Sequence, residues 1–283
     1  MASRSFPQIF GGEQDVFGIA GGGTVFGGSQ VIEGGGTASN TTIANGGTLV
    51  VSAGGLADPT TILGGGLEII SARGSDRGAL LSGGEQDVYG NAGGATIFAD
   101  SQVIESGAAG ATPLLRGGGT LDVLSGGSAN SARVSAGGTE AVSAGATDAG
   151  ARVSGGAQLV YGFASRTIVF TGAQLVGPGG TASGTTILSA SRITLLSGAT
   201  LDVTSGYTLS SYALGKGIVV LGMKLAGFVA ATNVRPPMMR AGAPNDGTAS
   251  RSRPIWCCKP LLSWKILTAP NPLPGSGSSL MRK

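Results

Sequence analysis

Two acidic residues behind a double glycine are the first feature of this sequence that suggests chemistry. Glu13 and Asp15 stand two positions apart in GGEQDVFG, residues 11–18, and the phrase returns as GGEQDVYG at 83–90. Such a cluster is typical of a cation site or of the paired carboxylates of a glycoside hydrolase. A third version, GGAQLVYG at 155–162, lacks both acids. An enzyme needs only one active site, so a site that occurs twice and is missing from the third copy is not expected. We therefore expect Glu13 and Asp15 to be replaceable residues that face solvent.

Other groups that carry metal or redox chemistry are scarce. The 283-residue chain has no histidine, and its two cysteines, Cys257 and Cys258, are adjacent. Neither a zinc cluster nor a disulfide framework is therefore predicted. The calcium-binding phrase G-G-x-G-x-D-x-U-x needs a third glycine that GGEQDVFG does not have. We predict no catalytic residue, no cofactor and no metal site.

The sequence contains a long internal repeat. GGEQDV, SQVIE and GGTLVV each return 72 positions downstream, the last as GGTLDV at 118–123. TASNTTI at 37–43 returns as TASGTTI at 181–187, a shift of 144, whereas GATLDV at 198–203 stands eight positions later than the register predicts. A fixed long period indicates a repeat architecture, and the late GATLDV predicts a slip in the third copy.

Short strands between glycine turns are predicted throughout residues 1–212. Gly-Gly or Gly-Ala recurs about every 10 residues, followed by runs such as TLVV, LEII and AQLV. Runs rich in Val, Ile, Leu and Thr indicate strands, and glycine supplies the positive φ that tight turns need. Two strand-and-turn steps would make a coil of about 18–20 residues, within the range of solenoid repeats. We predict an all-β fold, a right-handed parallel β-helix without helices, with inward Val, Ile, Leu and Ala.

The repeat phrases resemble a known family. GGTASNTTIANGGTLVVSAGG and GGTASGTTIL, with their Gly-Gly-Thr openings and T-x-I strands, are similar to the passenger repeats of AIDA-type autotransporter adhesins of Gram-negative bacteria. The resemblance covers about residues 11–206 and rests on many degenerate copies. It implies a surface-exposed or secreted passenger that mediates adhesion, autoaggregation or biofilm formation. It also implies self-association through the solenoid face, with host or cell-surface glycans or proteins as further partners.

The same resemblance implies a covalent modification. In some members of the family a heptosyltransferase attaches O-linked heptose to Ser and Thr residues of the repeats. The candidates here are Thr41 and Thr42 in TASNTTI and Thr185 and Thr186 in TASGTTI. The alternative is that these residues serve the fold alone, as strand formers or as members of side-chain ladders.

An enzyme remains the alternative function, because parallel β-helices often carry polysaccharide lyase or glycosidase activity on surface or plant polysaccharides. Lyase chemistry needs a base beside a cation site or beside clustered Lys and Arg, and residues 1–212 contain no lysine. The acids also follow the repeat: Glu33 matches Glu105, and Asp122 is matched to Asp202. An active site should break the repeat, so we predict that the protein is not an enzyme.

The chain combines two compositions. Residues 1–212 carry 8 Arg against 14 Asp or Glu, whereas residues 213–283 carry 10 Lys or Arg against one Asp, both Cys, both Trp and 8 of the 12 Pro. We therefore divide the chain into a lead-in at 1–10, a solenoid at 11–212 with long repeats starting at 11, 83 and 155, and a basic, Pro-rich tail. A frameshift near 205–215 is our hypothesis for the tail.

Segments that would direct or anchor the chain are not predicted. The N-terminus, MASRSFPQIFGG, has no apolar core typical of a signal peptide, and the segment 213–283 is too short for a translocator barrel. Residues 213–231 are apolar but contain two lysines and four glycines, so a strand pair or a solenoid cap is expected rather than a membrane helix. The cations of the tail are scattered, and no nucleic-acid partner is expected. We interpret the chain as a passenger fragment.

Overall fold

The computed structural model describes residues 7–202, 218–220 and 224–226. All regular structure in these residues is β-strand. None of them forms a helix that could cross a membrane. The chain divides into two compact units, Met1–Ala231 and Thr232–Lys283, of which the second lies outside the described residues. The predicted all-β parallel solenoid is confirmed, with about 11 turns.

Each turn of the solenoid contributes strands to three parallel ladders, which we call ladders 1, 2 and 3. Ladder 1 consists of β3 (Ile19–Gly21), β6 (Thr37–Ser39), β9 (Leu56–Ala57), β12 (Ser75–Arg77), β15 (Asn91–Gly93), β18 (Ala109–Ala111), β21 (Ser128–Asn130), β24 (Thr147–Ala149), β26 (Phe163–Ser165), β28 (Thr181–Ser183), β30 (Thr200–Asp202) and β32 (Lys224–Ala226). Three strands per coil, not two, is a correction to the prediction.

Ladders 2 and 3 alternate along the chain and join in its C-terminal half. Ladder 2 consists of β1 (Gln8–Ile9), β4 (Thr24–Val25), β7 (Thr41–Ile43), β10 (Thr60–Leu63), β13 (Leu80–Ser82), β16 (Thr96–Ala99), β19 (Leu114–Leu115) and β22 (Arg133–Ser135). Ladder 3 consists of β2 (Glu13–Val16), β5 (Gly28–Ile32), β8 (Gly47–Val51), β11 (Leu67–Ile70), β14 (Glu85–Val88), β17 (Ser101–Ile104), β20 (Thr120–Val123), β23 (Thr139–Val142) and β31 (Ile218–Val220). Three long strands, β25 (Arg152–Val160), β27 (Ile168–Val176) and β29 (Thr186–Leu195), run through both ladders.

One long repeat comprises four coils. Successive strands of ladder 1 begin at positions 19, 37, 56, 75 and 91, and the same spacings follow from position 91 to position 163. The register holds to the end of the described solenoid, since Thr181 of TASGTTI pairs in the same ladder as Thr37 of TASNTTI.

The predicted slip of the third copy is therefore wrong. GATLDV contributes β30 to ladder 1, whereas GGTLDV contributes β20 to ladder 3, so Asp202 and Asp122 lie on different faces. The segment in the third copy that corresponds to β20 is the end of β29, which pairs in ladder 3. The two phrases share five of their six residues, but they form strands of different ladders.

The core is narrow because one of its three walls is lined mainly by alanine. The second residue of half of the ladder 1 strands is a buried alanine, such as Ala38, Ala57 and Ala164. It faces large aliphatic side chains of the other two ladders, such as Ile62 and Ile70, which are fully buried. This alternation of small and large walls fills the interior with only three short strands per turn.

The double glycine has a different role at each position. In the pair Gly46-Gly47 the first glycine has a φ of +83°, which an L side chain adopts only with strain. A Cβ on Gly47 would overlap the carbonyl group of Val25 in the preceding coil. The first glycine turns the chain, and the second lets the next coil approach it.

Two short strands extend the ladders beyond residue 202. Ile218–Val220 pairs in parallel with β29, and Lys224–Ala226 pairs in parallel with β30. Both come from the segment for which a strand pair or a cap was expected. The rest of the tail, including the proposed frameshift position, lies outside the described residues.

Candidate functional site

The acids of the opening phrase lie on the outside of ladder 3. Glu13 and Asp15 are exposed, and Glu13 Oε2 accepts a hydrogen bond of 3.0 Å from the hydroxyl of Ser29. The expectation that these two residues face solvent is confirmed. The residue between them, Gln14, points the other way, because neighbours in a strand alternate between the two faces of a sheet. In the later copies of the phrase Gln86 and Gln158 are fully buried.

Inward glutamine and glutamate side chains form a column within ladder 3, which we call the interior polar column. Its members are Gln14, Gln30, Glu68, Gln86, Gln102, Glu140, Gln158 and Gln174, with Leu49, Leu121 and Ile193 as interruptions. Amide hydrogen bonds of 2.7 Å link consecutive coils, from Gln30 Nε2 to Gln14 Oε1 and from Gln174 Nε2 to Gln158 Oε1. The glutamine of the repeated phrase therefore has a structural role inside the rod.

Two carboxyl pairs interrupt the core where an aspartate of ladder 1 meets a glutamate of the interior polar column. In the first pair, Glu68 and Asp76 are 0% and 2% exposed. The hydroxyl of Thr60 lies 3.2 Å from Glu68 Oε1 and 3.4 Å from Asp76 Oδ2. Gln86 Nε2 donates to Glu68 Oε2 at 2.7 Å. Asp76 Oδ1 accepts a bond of 3.3 Å from the backbone of Ala79.

The second pair, Glu140 with Asp148, lies one long repeat later and lacks a hydroxyl donor. Gln158 Nε2 lies 3.0 Å from Glu140 Oε2 and 2.9 Å from Asp148 Oδ2. The residue that corresponds to Thr60 is Ala132, which has no hydroxyl, and Glu140 Oε1 accepts no hydrogen bond from a conventional donor. This carboxyl instead contacts the carboxyl of Asp148.

Burial controls the protonation of both pairs. Desolvation raises the pKa of Asp76 and of Asp148 to about 6 in each case. It also raises the pKa of Glu68 and of Glu140 well above the usual value, and the charge of the paired aspartate raises both further. Two carboxyl groups that hydrogen bond to each other need a shared proton. The pairs are sealed from solvent, so they act on the fold and are not placed to meet a substrate.

The burial of these four acids was not predicted from the sequence, although a signal for it was present. Glu68 and Glu140 occupy the second position after Gly-Gly, where Leu49 and Leu121 stand in the neighbouring phrases. A position that holds leucine in some copies of a repeat faces the core in all of them. The glutamates could therefore have been assigned to the interior from the repeat alone.

The four candidate glycosylation residues divide between core and surface. Thr41 and Thr185 are 1% and 7% exposed, and the Thr41 hydroxyl donates to Gln30 Oε1 at 3.3 Å. Thr42 and Thr186, the next residue in each case, are half-exposed on the outside of ladder 2. A sugar attached to Thr41 or Thr185 has no room in the folded solenoid. Among the four, Thr42 and Thr186 are the positions that a glycan can occupy.

The outside of ladder 3 presents a column of half-exposed aliphatic side chains, which we call the outer aliphatic column. It consists of Val31, Val50, Ile69, Val103, Ala141, Leu159 and Leu175, each in register with the strands before and after it. Asp87 and Asp122 interrupt the column. Beside it stands a hydroxyl column that includes Ser29, Thr48, Thr120 and Thr139. The result is a face along the rod on which aliphatic and hydroxyl side chains outnumber the carboxylates of Glu13, Asp15, Glu85, Asp87 and Asp122.

No protein-family model and no curated protein matches the chain. Among solved structures it matches the crystal structure of a TibA fragment that is hyper-glycosylated in a reaction catalysed by TibC, with 28% sequence identity and a TM-score of 0.60. The match covers 78% of this chain and 89% of that one. TibA is an AIDA-type autotransporter adhesin, so the resemblance to AIDA-type passengers is confirmed.

Proposed function

We propose that this AIDA-type passenger solenoid is an adhesive rod at the cell surface or in secreted form, and that it promotes autoaggregation and biofilm formation by pairing with copies of itself. The observation that carries the proposal is the outer aliphatic column. Val50 and Leu159, near its two ends, are both half-exposed on strands of ladder 3. Many weak contacts along two aligned rods add up to useful avidity without a single dominant contact.

Clumping of coated beads tests this function. Microbeads that carry the purified full chain should clump, and the double variant Val50→Asp/Leu159→Asp should stay dispersed, because it places charges on the paired faces. Aspartate already occupies this column at Asp87 and Asp122, so the variant should fold. The matched control is Leu80→Asp on the outside of ladder 2, which should clump like the parent chain. Equal clumping of the double variant and the parent would rule out ladder 3 as the contact face.

We further propose that the protein has no catalytic activity. The two carboxyl pairs of the core are buried, and the outward acids of the opening phrase were lost from its third copy. Hydrolysis and lyase chemistry both need their acids in contact with the substrate. Incubation of the chain with polyuronates and neutral glycans should release no reducing ends and no unsaturated products. Release of either would support the lyase or glycosidase alternative instead.

O-glycosylation by a partner heptosyltransferase is proposed for Thr42 and Thr186. Both lie on the outside of ladder 2, and the structural neighbour is itself a hyper-glycosylated fragment. Peptide mass spectrometry of the chain co-expressed with such a transferase should find sugar on these residues and none on Thr41 or Thr185. Sugar on the two buried residues in folded protein would contradict the proposal.

A further inference from the structure

Four consecutive coils each carry one exposed arginine on or beside ladder 2. These residues, which we call the arginine strip, are Arg116, Arg133, Arg152 and Arg166. Arg133 and Arg152 are register partners on neighbouring strands, and Arg116 immediately follows β19, the strand before them. Arg133 and Arg152 therefore lie about 4.8 Å apart along the rod. Arg116 stands two positions after Leu114, the partner of Arg133, and Arg166 stands two positions before Ile168, the partner of Arg152.

No acidic residue stands on the stretch of ladder 2 that carries this strip. The segments 113–119, 131–138, 150–157 and 166–173 contain no Asp or Glu. In the described part of the chain these guanidinium groups make one side-chain contact: that of Arg152 lies 5.1 Å from the ring centroid of Phe170. Like charges on directly paired residues destabilise a sheet. The paired arginines should therefore lower the stability of ladder 2, and the fold gives no reason for their presence.

Hydroxyl groups line the same face beside the arginines. Ser135 and Ser154 are register partners, and Thr171 continues their line on β27. Each of the two serines stands two positions after an arginine of the strip, so it points to the same outer side. A ligand that lies along the rod would meet cations and hydroxyl groups on successive coils.

We propose that the arginine strip binds a linear anionic polysaccharide laid along the rod axis. Such a polymer carries carboxylate or sulfate groups and hydroxyl groups in each repeating unit, which matches the arginines and the hydroxyl groups beside them. Guanidinium groups bind both kinds of anion with paired hydrogen bonds. This inference deepens the adhesive function proposed above and rests on it for its setting, but it concerns ladder 2 and not the outer aliphatic column.

A second copy of the chain fits the strip less well. On the outer face of ladder 3 or directly after its strands, carboxylates occupy at most three consecutive coils, those of β14, β17 and β20, with Glu105 following β17. They cannot match four arginines on four consecutive coils. Single-stranded nucleic acid also fits poorly, because it needs aromatic rings free for base stacking. The ring beside the strip, Phe170, is covered by Arg152.

The test is binding of the full chain to immobilised polysaccharides. Heparin supplies the sulfated arm and polygalacturonate the carboxylated arm, with dextran as the uncharged polymer and a DNA duplex as the other polyanion. We expect binding to one or both anionic polysaccharides that weakens as salt rises, since screening acts on exposed charges. Arg133→Thr/Arg152→Thr should lower the affinity about tenfold or more. Threonine is the residue of this column at Thr24 and Thr42, so the variant should fold.

The matched control is Arg77→Thr/Arg192→Thr, which removes the same charge from ladders 1 and 3 and should retain affinity within about twofold. An equal loss in both double variants would overturn the proposal, because it would show attraction by net charge alone. No binding to either anionic polymer, equal binding to dextran, or tighter binding to DNA would also overturn it. Bead clumping is measured on the same variants: clumping that persists when glycan binding is lost separates this inference from self-association through ladder 3.

Discussion

Glu68 and Asp76 place two carboxyl groups together inside the solenoid, with the hydroxyl of Thr60 within 3.4 Å of both. The same arrangement returns one long repeat later as Glu140 and Asp148, without the hydroxyl. No lysine or arginine is among the buried residues of the described chain. Each pair therefore depends on a retained proton, which connects the stability of the rod to pH.

The rod should be more stable at pH 5 than at pH 8. Burial raises the pKa of Asp76 and Asp148 to about 6 and that of their partner glutamates well above normal. The folded chain then holds protons that the unfolded chain has already released near pH 4. Stability is full below that pH and falls as pH rises through the folded pKa values, by about 1.4 kcal/mol per pH unit for each proton. Asp58, near Asp76, raises the pKa of that aspartate further.

Denaturant unfolding between pH 4 and pH 8 measures this dependence. Glu68→Gln/Glu140→Gln removes the protons that the two glutamates retain and should make the curve shallower, while desolvation of Asp76 and Asp148 keeps the rest of the dependence. The variant should fold, since glutamine already fills this column at Gln30 and Gln102. A parent chain whose stability rises from pH 5 to pH 8 would disprove the proton-sharing account.

The hydroxyl of Thr60 should contribute measurably to the first pair. Thr60→Ala would leave Glu68 Oε1 in the state of Glu140 Oε1, which lacks a donor, and should cost about 1 kcal/mol of unfolding free energy. The converse change, Ala132→Thr, supplies the missing donor to Glu140 and should stabilise by a similar amount if the backbone accommodates it as at Thr60. Thermal unfolding of both variants tests this prediction. Destabilisation by both changes would show that packing, and not the hydrogen bond, determines the effect of this position on stability.

Adjacent glycines should differ sharply in their tolerance of alanine. A Cβ on Gly119 would overlap the carbonyl group of Ile97, whereas the nearest atom to a Cβ on Gly118 is 4.0 Å away. Gly119→Ala should destabilise by about 1–3 kcal/mol, because it pushes two coils apart. Gly118→Ala should change stability by no more than about 0.5 kcal/mol. Similar denaturation midpoints for the two variants would contradict the close approach between coils.

Thr112 should be replaceable by glycine with a gain in stability. Its φ is +53°, which costs a β-branched residue about 1–2 kcal/mol, and Gly184 holds the corresponding position one long repeat later at +63°. Thr112→Gly should raise the unfolding free energy by up to about 1 kcal/mol after the greater backbone entropy of glycine is subtracted. Asn40→Gly is the control, because asparagine tolerates this conformation. A loss of stability in Thr112→Gly, measured by thermal unfolding, would show that its side chain has a role in the turn.

Part of the candidate site could be predicted from the repeat. Loss of both acids from the third GGEQDV phrase was enough to place Glu13 and Asp15 on the surface, because a residue that a copy can drop is seldom structural. The same comparison retained the glutamine in all three phrases, and the structure shows the reason in the buried amides of Gln86 and Gln158. The burial of Thr41 beside the half-exposed Thr42 follows from the alternation of a strand, once its inward face is known.

The sequence by itself determined the period, the glycine turns and the strand composition of this protein, because each is a local property that recurs along the chain. Only the tertiary structure decided that a coil has three strands, that GATLDV belongs to a different ladder from GGTLDV, and that Glu68 meets Asp76 in the core. These relations depend on where the chain turns corners, since each corner resets which side chains face inward. Residues on different coils, such as the paired Arg133 and Arg152, become neighbours only when the coils stack.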